Sequence, residues 1–387
     1  MKSLGDHNNA ADLIASAKLI VIKIGSALLF DPDKDGIQSD WMAGLAADVA
    51  ELHKAGKQVI LVSSGSIALG RDKLGMPKGR IKLDEKQAAA ATGQIMLAQS
   101  WMNVLAAHHI TSAQILLAPE DTETRRRHLN ARATMQTLLK YGSVPVVNEN
   151  DTITTYEIRF GDNDRLAARV AAMMSADLLI LLSDIDGLYD RDPRQHDDAT
   201  HIPLITEITD EVMAMGSSAN AEFASGGMAT KLAAAKIATK AGVAMMVCDG
   251  RTSRPLSALD DGAQSTMFQS QLAPSTARKN WILSALHCAG TITVDAGALG
   301  ALAKGRSLLP AGVTAISGSF ERGDLVEICD KDGKIVARGL AGYSADEANA
   351  LKGQKSAAFE AIIGYDGRAE LVHADDLVLL EQPDRQG

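Results

Sequence analysis

Over the first 285 residues, apolar runs of β-forming residues alternate with longer segments whose apolar residues recur at helical spacing. The runs predict strands at 19–24, 58–62, 111–117, 144–147, 178–182 and 243–247, and the longer segments predict helices at 39–55, 83–107, 128–140, 164–175 and 231–241. Strands that are apolar throughout are typical of a parallel sheet buried on both faces. The alternation therefore predicts an α/β fold, with helices on both faces of a mostly parallel sheet.

The pattern changes after Leu286, where short strand candidates follow one another without long helices between them. They span 291–294, 313–316, 325–328 and 334–337, and glycines that suit turns separate several of them. This pattern predicts a small β-rich domain from about 289 to 367, with 269–277 as a connecting segment. A chain of 387 residues is long enough for two such domains.

Composition and charge narrow the class of protein. The chain is 46% hydrophobic but only 4% aromatic, and its formal charge of −9 argues against a general nucleic-acid binder, which needs a basic surface. The polar N-terminus lacks the apolar stretch of a signal peptide, and the strongest apolar run, 171–182, is too short to span a bilayer. The three cysteines lack metal-ligand spacing. We expect a soluble cytoplasmic protein without a dedicated metal site.

Two clusters of carboxylates and amides interrupt the apolar pattern. Residues 148–151 read Asn-Glu-Asn-Asp and follow a predicted strand, and residues 161–164 read Gly-Asp-Asn-Asp and open a predicted helix. Buried polar groups need partners, so such clusters suit a site that binds a small polar ligand. Taken alone, each cluster is better explained as a turn whose Asn and Asp cap a helix.

Four further segments place small polar residues or lysines where a predicted strand ends or a helix begins. They are Lys23-Ile24-Gly25-Ser26, the stretch Val62–Gly70, the stretch Leu182–Tyr189 with Ser183 and Asp184, and Ser225-Gly226-Gly227-Met228-Ala229-Thr230-Lys231. Glycine lets a backbone approach an anion, and exposed amides at a helix start can bind phosphate. Singly, each is explained by an edge lysine or a serine cap, and neither a Walker A loop nor a Gly-x-Gly-x-x-Gly fingerprint is present. Together they favour phosphoryl chemistry.

The order of these segments resembles the amino-acid kinase family. The resemblance covers about residues 18 to 375 and includes Arg127–Arg132 and Gly305–Pro310, and its most specific part is the pair of clusters at 148–151 and 161–164. It implies a three-layer α/β sandwich over 17–275 as the catalytic domain. The C-terminal segment, 289–367, is similar to a PUA domain, which is a small β-rich pseudobarrel.

The activity that the resemblance implies is transfer of the ATP γ-phosphoryl group to the side-chain carboxylate of L-glutamate. The product would be L-glutamate 5-phosphate, the first intermediate of proline biosynthesis. By similarity, Lys23 and Lys231 contact the transferring phosphoryl group, and Asp164 holds both lysines in place. Mg²⁺ is expected to bind with ATP, mainly through phosphate oxygens and water, because it dehydrates reluctantly.

The resemblance also assigns binding residues. For glutamate it indicates Ser64, Asp151 and Asn163, with Asn148 and Asp162 nearby, and Asp151 suits the substrate's α-ammonium group. For the nucleotide it indicates Lys23, Gly25, Ser26, Ser183, Asp184, Ser225, Gly226, Gly227, Met228, Ala229, Thr230 and Lys231. Gly25 and Ser26 are expected to supply backbone donors to phosphate oxygens.

The expected partners follow from the resemblance, and two alternative functions stay open. The resemblance suggests feedback inhibition by proline, a homo-oligomer formed through the catalytic domains, and functional coupling to glutamate-5-phosphate reductase. One alternative is another amino-acid kinase, acting on N-acetylglutamate, aspartate, carbamate or uridylate. A second is an RNA-binding or RNA-modifying protein, but residues 289–367 contain eight Lys/Arg against ten Asp/Glu, whereas an RNA-binding face usually has a basic excess.

Overall fold

The structure is a computed structural model that describes residues 9–31, 36–77, 79–154, 163–216, 227–284 and 288–380. The chain divides into two compact units. The first comprises Met1–Glu123 and Ala131–Pro274, and the second comprises Thr124–Asn130 and Ser275–Gly387.

An eight-stranded sheet forms the centre of the first unit. Its strands are β1 (Leu19–Ile24), β4 (Gln58–Ser63), β5 (Ser112–Leu117), β6 (Val144–Glu149), β7 (Leu178–Ser183), β10 (Leu204–Ile205), β11 (Ala244–Asp249) and β12 (Ser265–Phe268). They lie in the order β10-β12-β11-β7-β1-β4-β6-β5. Only the β11–β12 pair is antiparallel among these neighbours, and every other pair is parallel. Two small hairpins pair β2 (Phe30–Asp31) with β3 (Gly36–Ile37), and β8 (Leu188–Tyr189) with β9 (His201–Ile202).

Helices surround this sheet. They are α1 (Ala10–Ser16), α2 (Ser26–Leu29), α3 (Ser39–Lys54), α4 (Ser66–Lys73), α5 (Leu83–Ala106), α6 (Pro119–Glu123), α7 (Arg125–Lys140), α8 (Asn163–Met174), α9 (Asp210–Met215), α10 (Met228–Lys240) and α11 (Pro255–Asp260). No helix within the described ranges combines the length and apolar character needed to cross a membrane.

The alternation of side chains along β1 divides the apolar core between the two faces of the sheet. Ile20 and Ile22 pack in a cluster with residues of α3 and α5. Leu19 and Val21 pack in a second cluster, with residues of α8 and α10. Because successive strand residues point to opposite faces, Lys23 lies on the same face as Leu19 and Val21. The strand therefore directs this lysine toward α8 and α10.

The second unit is built on a five-stranded sheet. Its strands are β13 (Gly290–Val294), β14 (Val313–Gly318), β15 (Leu325–Cys329), β16 (Ile335–Leu340) and β17 (Leu377–Leu379), in the order β14-β13-β15-β16-β17. The helices are α12 (Pro274–Ser284), α13 (Ala296–Leu302), α14 (Ala345–Leu351) and α15 (Phe359–Ile363), with 3-10 turns at Pro310–Gly312, Ser356–Ala358 and Ala374–Asp376.

The architecture confirms the predicted fold class, a mostly parallel α/β sheet followed by a separate small β sheet. Some details differ from the prediction made from the sequence. Helix α12 begins at Pro274, inside the segment predicted to be a connector, and β17 lies beyond residue 367. A proline at the first position of a helix loses no intrahelical hydrogen bond, so Pro274 is compatible with that start. The domain boundaries at 17–275 and 289–367 stay a prediction.

Candidate active site

The C-terminal ends of four neighbouring parallel strands carry polar side chains. Lys23 is the last residue but one of β1, and Ser63, Glu149 and Ser183 end β4, β6 and β7. In the sheet these strands lie side by side, in the order β7-β1-β4-β6. Because parallel strands end at a common edge, the polar side chains collect there, where ligands bind in open α/β sheets.

A buried carboxylate contacts two lysines at this edge. Asp164, in the first turn of α8, lies with its Oδ1 2.5 Å from Lys23 Nζ and its Oδ2 3.5 Å from Lys231 Nζ. All three residues are buried, and Asp164 has no exposed surface at all. Burial alone would raise the pKa of Asp164, but the two ammonium groups and hydrogen bonds hold it below its ordinary value. Two ammonium groups held beside one carboxylate at a strand-end edge suit the binding of an anionic ligand.

The start of α10 completes this group. Gly227 caps the helix, and Thr230 and Lys231 follow in its first turns. The Thr230 hydroxyl lies 2.8 Å from Asp164 Oδ2, to which it can donate. The family resemblance assigns Thr230 to nucleotide binding. The structure shows in addition that its hydroxyl contacts the Asp164 carboxylate, which lies between the two lysines.

A second group, of amides and hydroxyls, lies at the ends of β4 and β6. Asn163 Nδ2 is within hydrogen-bond distance of the Ser63 carbonyl at 3.0 Å, Ser64 Oγ at 2.9 Å and Asn148 Oδ1 at 2.9 Å. Asn148 Nδ2 in turn donates to Gln94 Oε1 at 2.7 Å. The chain can turn here from β4 into α4 because Gly65 adopts φ 101°, a conformation that glycine tolerates best. The sequence-predicted residues Ser64, Asn148 and Asn163 thus lie together.

The predicted nucleotide-binding residues at the end of β7 form a third group. Ser183 is buried and donates from its hydroxyl to Asp184 Oδ1 at 3.1 Å. Arg194 donates to Asp184 Oδ2 at 2.7 Å. Burial would raise the pKa of Asp184, yet the hydrogen bonds, above all that from Arg194, hold it below its ordinary value. Directly after neighbouring β1, a side-chain carbon at Gly25 would lie 3.5 Å from the Leu182 carbonyl oxygen, which is an ordinary contact distance.

The other described residues that were predicted for the site lie at helix starts or in a turn. Ser26 begins α2, Met228 and Ala229 form the first turn of α10, and Asp151 lies half-buried in the turn after β6. Asp162, Ser225 and Gly226 lie outside the described residues. The roles assigned to all these residues stay predictions.

Residues that the sequence reading did not single out also contribute. Gln94 contacts Asn148 from the middle of α5, and Arg194 contacts Asp184 from a loop. Neither residue lies in a strand-end or helix-start motif. A mid-helix amide and a loop arginine carry no local signal, so only the packing of the chain identifies them.

No group of three or more His, Cys, Asp or Glu side chains within the described ranges is arranged to hold a metal ion.

Comparison with known protein families assigns both parts of the chain. Residues 18–249 match the amino acid kinase family, and residues 290–363 match the PUA domain. The chain belongs to the amino acid kinase family.

Three similar proteins within that family carry the name glutamate 5-kinase. Glutamate 5-kinase from Paramagnetospirillum magneticum is 54% identical over 366 residues, which are 95% of this chain and 99% of that protein. Glutamate 5-kinase from Gluconobacter oxydans is 54% identical, covering 96% of this chain and 98% of that protein. Glutamate 5-kinase from Brucella anthropi is 55% identical, covering 93% of this chain and 95% of that protein.

Proposed function

We propose that the chain transfers the γ-phosphoryl group of ATP to the side-chain carboxylate of L-glutamate and releases L-glutamate 5-phosphate, as the first step of proline biosynthesis. The name shared by its close relatives supports the substrate. The observation that carries the chemistry is the buried contact of Lys23 and Lys231 with Asp164. Two anions must approach each other in this reaction, and the two lysines offer the positive charge that reduces their repulsion.

The acceptor needs no general base, because a glutamate carboxylate is already ionised at neutral pH. The task that remains is to align the carboxylate with the γ-phosphorus and to neutralise the charge of the transferring group. Lys23 and Lys231 act on that group, and Asp164 fixes the positions of both ammoniums. Asp164 lies 2.5 Å from Lys23 Nζ and 3.5 Å from Lys231 Nζ, so one carboxylate contacts both lysines.

Glutamate binds beside the lysines, in the cluster of amide and hydroxyl side chains formed by Ser64, Asn148 and Asn163. Asp151 and Asp162 are assigned to the same site by similarity. The Asn163 amide nitrogen is occupied by protein acceptors. Within the described ranges no hydrogen bond is donated to Asn163 Oδ1, which leaves an acceptor for the substrate's α-ammonium. Asp151 supplies the opposite charge for the same ammonium.

ATP lies at the ends of β1 and β7 and at the start of α10. In this proposal Gly25 and Ser26 supply backbone donors to the phosphate oxygens, and Ser183, Asp184 and the start of α10 also bind the nucleotide. Mg²⁺ enters with ATP and supplies further charge neutralisation at the phosphates.

Substrate choice tests this function. With ATP, Mg²⁺ and hydroxylamine, which traps an acyl phosphate, we expect hydroxamate readily from glutamate, weakly from aspartate and almost none from N-acetylglutamate. N-acetylglutamate lacks the ammonium that Asp151 and Asn163 would bind, and a buried site recovers little from such a loss. Aspartate keeps both charges, but it is one methylene shorter, so its carboxylate falls short of the two lysines.

The control is the same assay without an amino acid, which measures the background hydroxamate signal. Preferential use of N-acetylglutamate or aspartate in this assay would overturn the glutamate assignment, although the family membership would stand. Preferential use of carbamate or uridylate, measured as ADP formation, would overturn it as well. RNA binding at low salt without any hydroxamate would favour the alternative function of an RNA-binding protein.

The domain boundary is open to a direct test. A chain ending at Ser284 should fold and keep measurable hydroxamate formation, because every proposed site residue precedes that position. Far-UV circular dichroism and the glutamate assay, run beside the full-length chain, check this. A truncated chain that is folded and wholly inactive would show that the C-terminal residues complete the site.

A homo-oligomer through the catalytic domains is supported by the outer face of α5. No ionisable side chain occurs between Lys86 and His108, yet Ile95 is 72% exposed and Met102 is 52% exposed. Exposed apolar side chains on one helix are typical of a subunit interface.

Ile95→Glu should lower the mass measured by light scattering to that of a smaller species. The matched control Ile153→Glu, at an isoleucine 65% exposed outside this helix, should keep the wild-type mass. A monomeric wild type would contradict the proposal.

Three further features rest on the same function. Proline, which carries an α-carboxylate and a charged nitrogen as glutamate does, is the expected feedback inhibitor at or near the glutamate site. The acyl-phosphate product is labile, which favours functional coupling to glutamate-5-phosphate reductase. The expected compartment is the cytoplasm, where ATP and glutamate are available.

A further inference from the structure

The side chain of Gln94 contacts the amide group that is assigned to glutamate, although no motif in the sequence marks it. It lies near the middle of α5 and accepts a hydrogen bond from Asn148 Nδ2 at 2.7 Å. Asn148 is only 2% exposed, so its amide depends on protein partners rather than on bulk water. An acceptor at this distance is a strong constraint on a buried side chain.

The orientations of the two asparagine amides are fixed by their partners. The Ser63 carbonyl can only accept, so the Asn163 atom that faces it at 3.0 Å must be the NH₂ nitrogen. The backbone N–H of Glu149 can only donate, so the Asn148 atom that faces it at 2.9 Å must be the oxygen. That oxygen also accepts from Asn163 at 2.9 Å. It follows that the opposite end of Asn148 is its NH₂ group, which requires acceptors.

Gln94 supplies the shorter of the two acceptor contacts to that NH₂ group. The other partner, Ser66 Oγ, is 3.3 Å away and is itself able to rotate. Without the Gln94 oxygen, Asn148 Nδ2 would keep only this longer contact. The side-chain amide of Asn148 would then be able to flip, which would move its oxygen away from Asn163.

The backbone of α5 is held close enough to make this contact possible. A side-chain carbon at Gly93 would lie 1.8 Å from the Ser66 carbonyl oxygen, and one at Gly70 would lie 1.7 Å from the Ala89 carbonyl oxygen. Only glycine allows α4 and α5 to approach so closely. The two glycines therefore fix the position of Gln94 relative to the end of β6.

We propose that Gln94 is a positioning residue for the glutamate site, which orients Asn148 and through it Asn163, so that the free oxygen of Asn163 faces the substrate's α-ammonium. Gln94 itself does not touch the substrate. This inference rests on the proposed function, because it assumes that the Asn148–Asn163 pair binds glutamate.

The test is Gln94→Met, which keeps the length of the side chain and removes its acceptor. We expect the KM for glutamate to rise roughly 10-fold, the effect of leaving one buried donor unpaired, while the KM for ATP changes less than about twofold. Gln136→Met, the same replacement at an exposed position of α7, is the matched control and should change neither value. A merely structural role would lower stability or the amount of active enzyme without separating the two KM values.

A double-mutant cycle then asks whether Gln94 acts through Asn148. If it does, Gln94→Met together with Asn148→Ala should reduce kcat/KM for glutamate no further than Asn148→Ala alone. Additive losses, or an unchanged glutamate KM in Gln94→Met, would overturn the inference. Failure of the proposed function has a different result, since the wild-type protein would then form no hydroxamate from glutamate.

Discussion

Lys231→Ala should lower kcat for hydroxamate formation by roughly 10²- to 10³-fold, the usual loss when one preorganised transition-state donor is removed. The KM for glutamate should change far less, because the lysine faces the phosphoryl group rather than the amino acid. The fold should survive the change. Asp164 keeps Lys23 at 2.5 Å and the Thr230 hydroxyl at 2.8 Å, so its carboxylate remains paired.

Lys236→Ala is the matched control for this experiment. Lys236 is exposed on the same helix, α10, and its removal should leave kcat unchanged. Steady-state rates at saturating ATP and glutamate measure both variants. Near-normal turnover in Lys231→Ala would remove this lysine from the mechanism, and the charge neutralisation would then fall to Lys23 and Mg²⁺.

Much of the fold could be predicted because the apolar pattern reports burial directly. Strand β1 is apolar at five of its six positions in the sequence, and all six are buried in the sheet. Strand β12, of four residues, and β17, of three, were not predicted. Runs this short contain too few residues to establish a period, and their pairing depends on strands distant in the chain.

Part of the candidate site could also be predicted, because its residues lie at strand ends and helix starts. Residues at strand ends and helix starts are brought together by the topology of a parallel sheet, so the local pattern marked the segments that contain Lys23, Asp164 and Lys231. The grouping of these three residues and their roles came from the family resemblance. Gln94 was not marked by the local pattern, because its direction depends on how closely α5 approaches α4. That approach is set by Gly70 and Gly93, and their close contacts become visible only when both helices are placed.

Asp164→Asn should have a still broader effect than the loss of either lysine. It leaves Lys23 and Lys231 buried without their carboxylate, and removing one partner of a buried ion pair costs about 3–5 kcal/mol of unfolding free energy. Turnover should also fall by roughly 10²-fold or more, because the two ammonium groups lose the anion that holds them in place. Denaturant unfolding and the hydroxamate assay measure the two effects. Asp198→Asn, at an exposed carboxylate 3.2 Å from Arg191, is the control and should cost less than about 1 kcal/mol.

The stability effect of Asp164→Asn should depend on pH in a defined direction. The pKa of Asp164 in the folded chain lies below its ordinary value of 3.8, because the attraction of Lys23 and Lys231 outweighs the opposing effect of burial. A depressed folded-state pKa contributes stability above the unfolded pKa, and this contribution is lost as the pH falls through the folded value. The difference in unfolding free energy between wild type and variant should thus be constant near neutral pH and shrink below about pH 4. A difference that grows on acidification, or a variant as stable and active as wild type at pH 7, would show that Asp164 does not organise the two lysines.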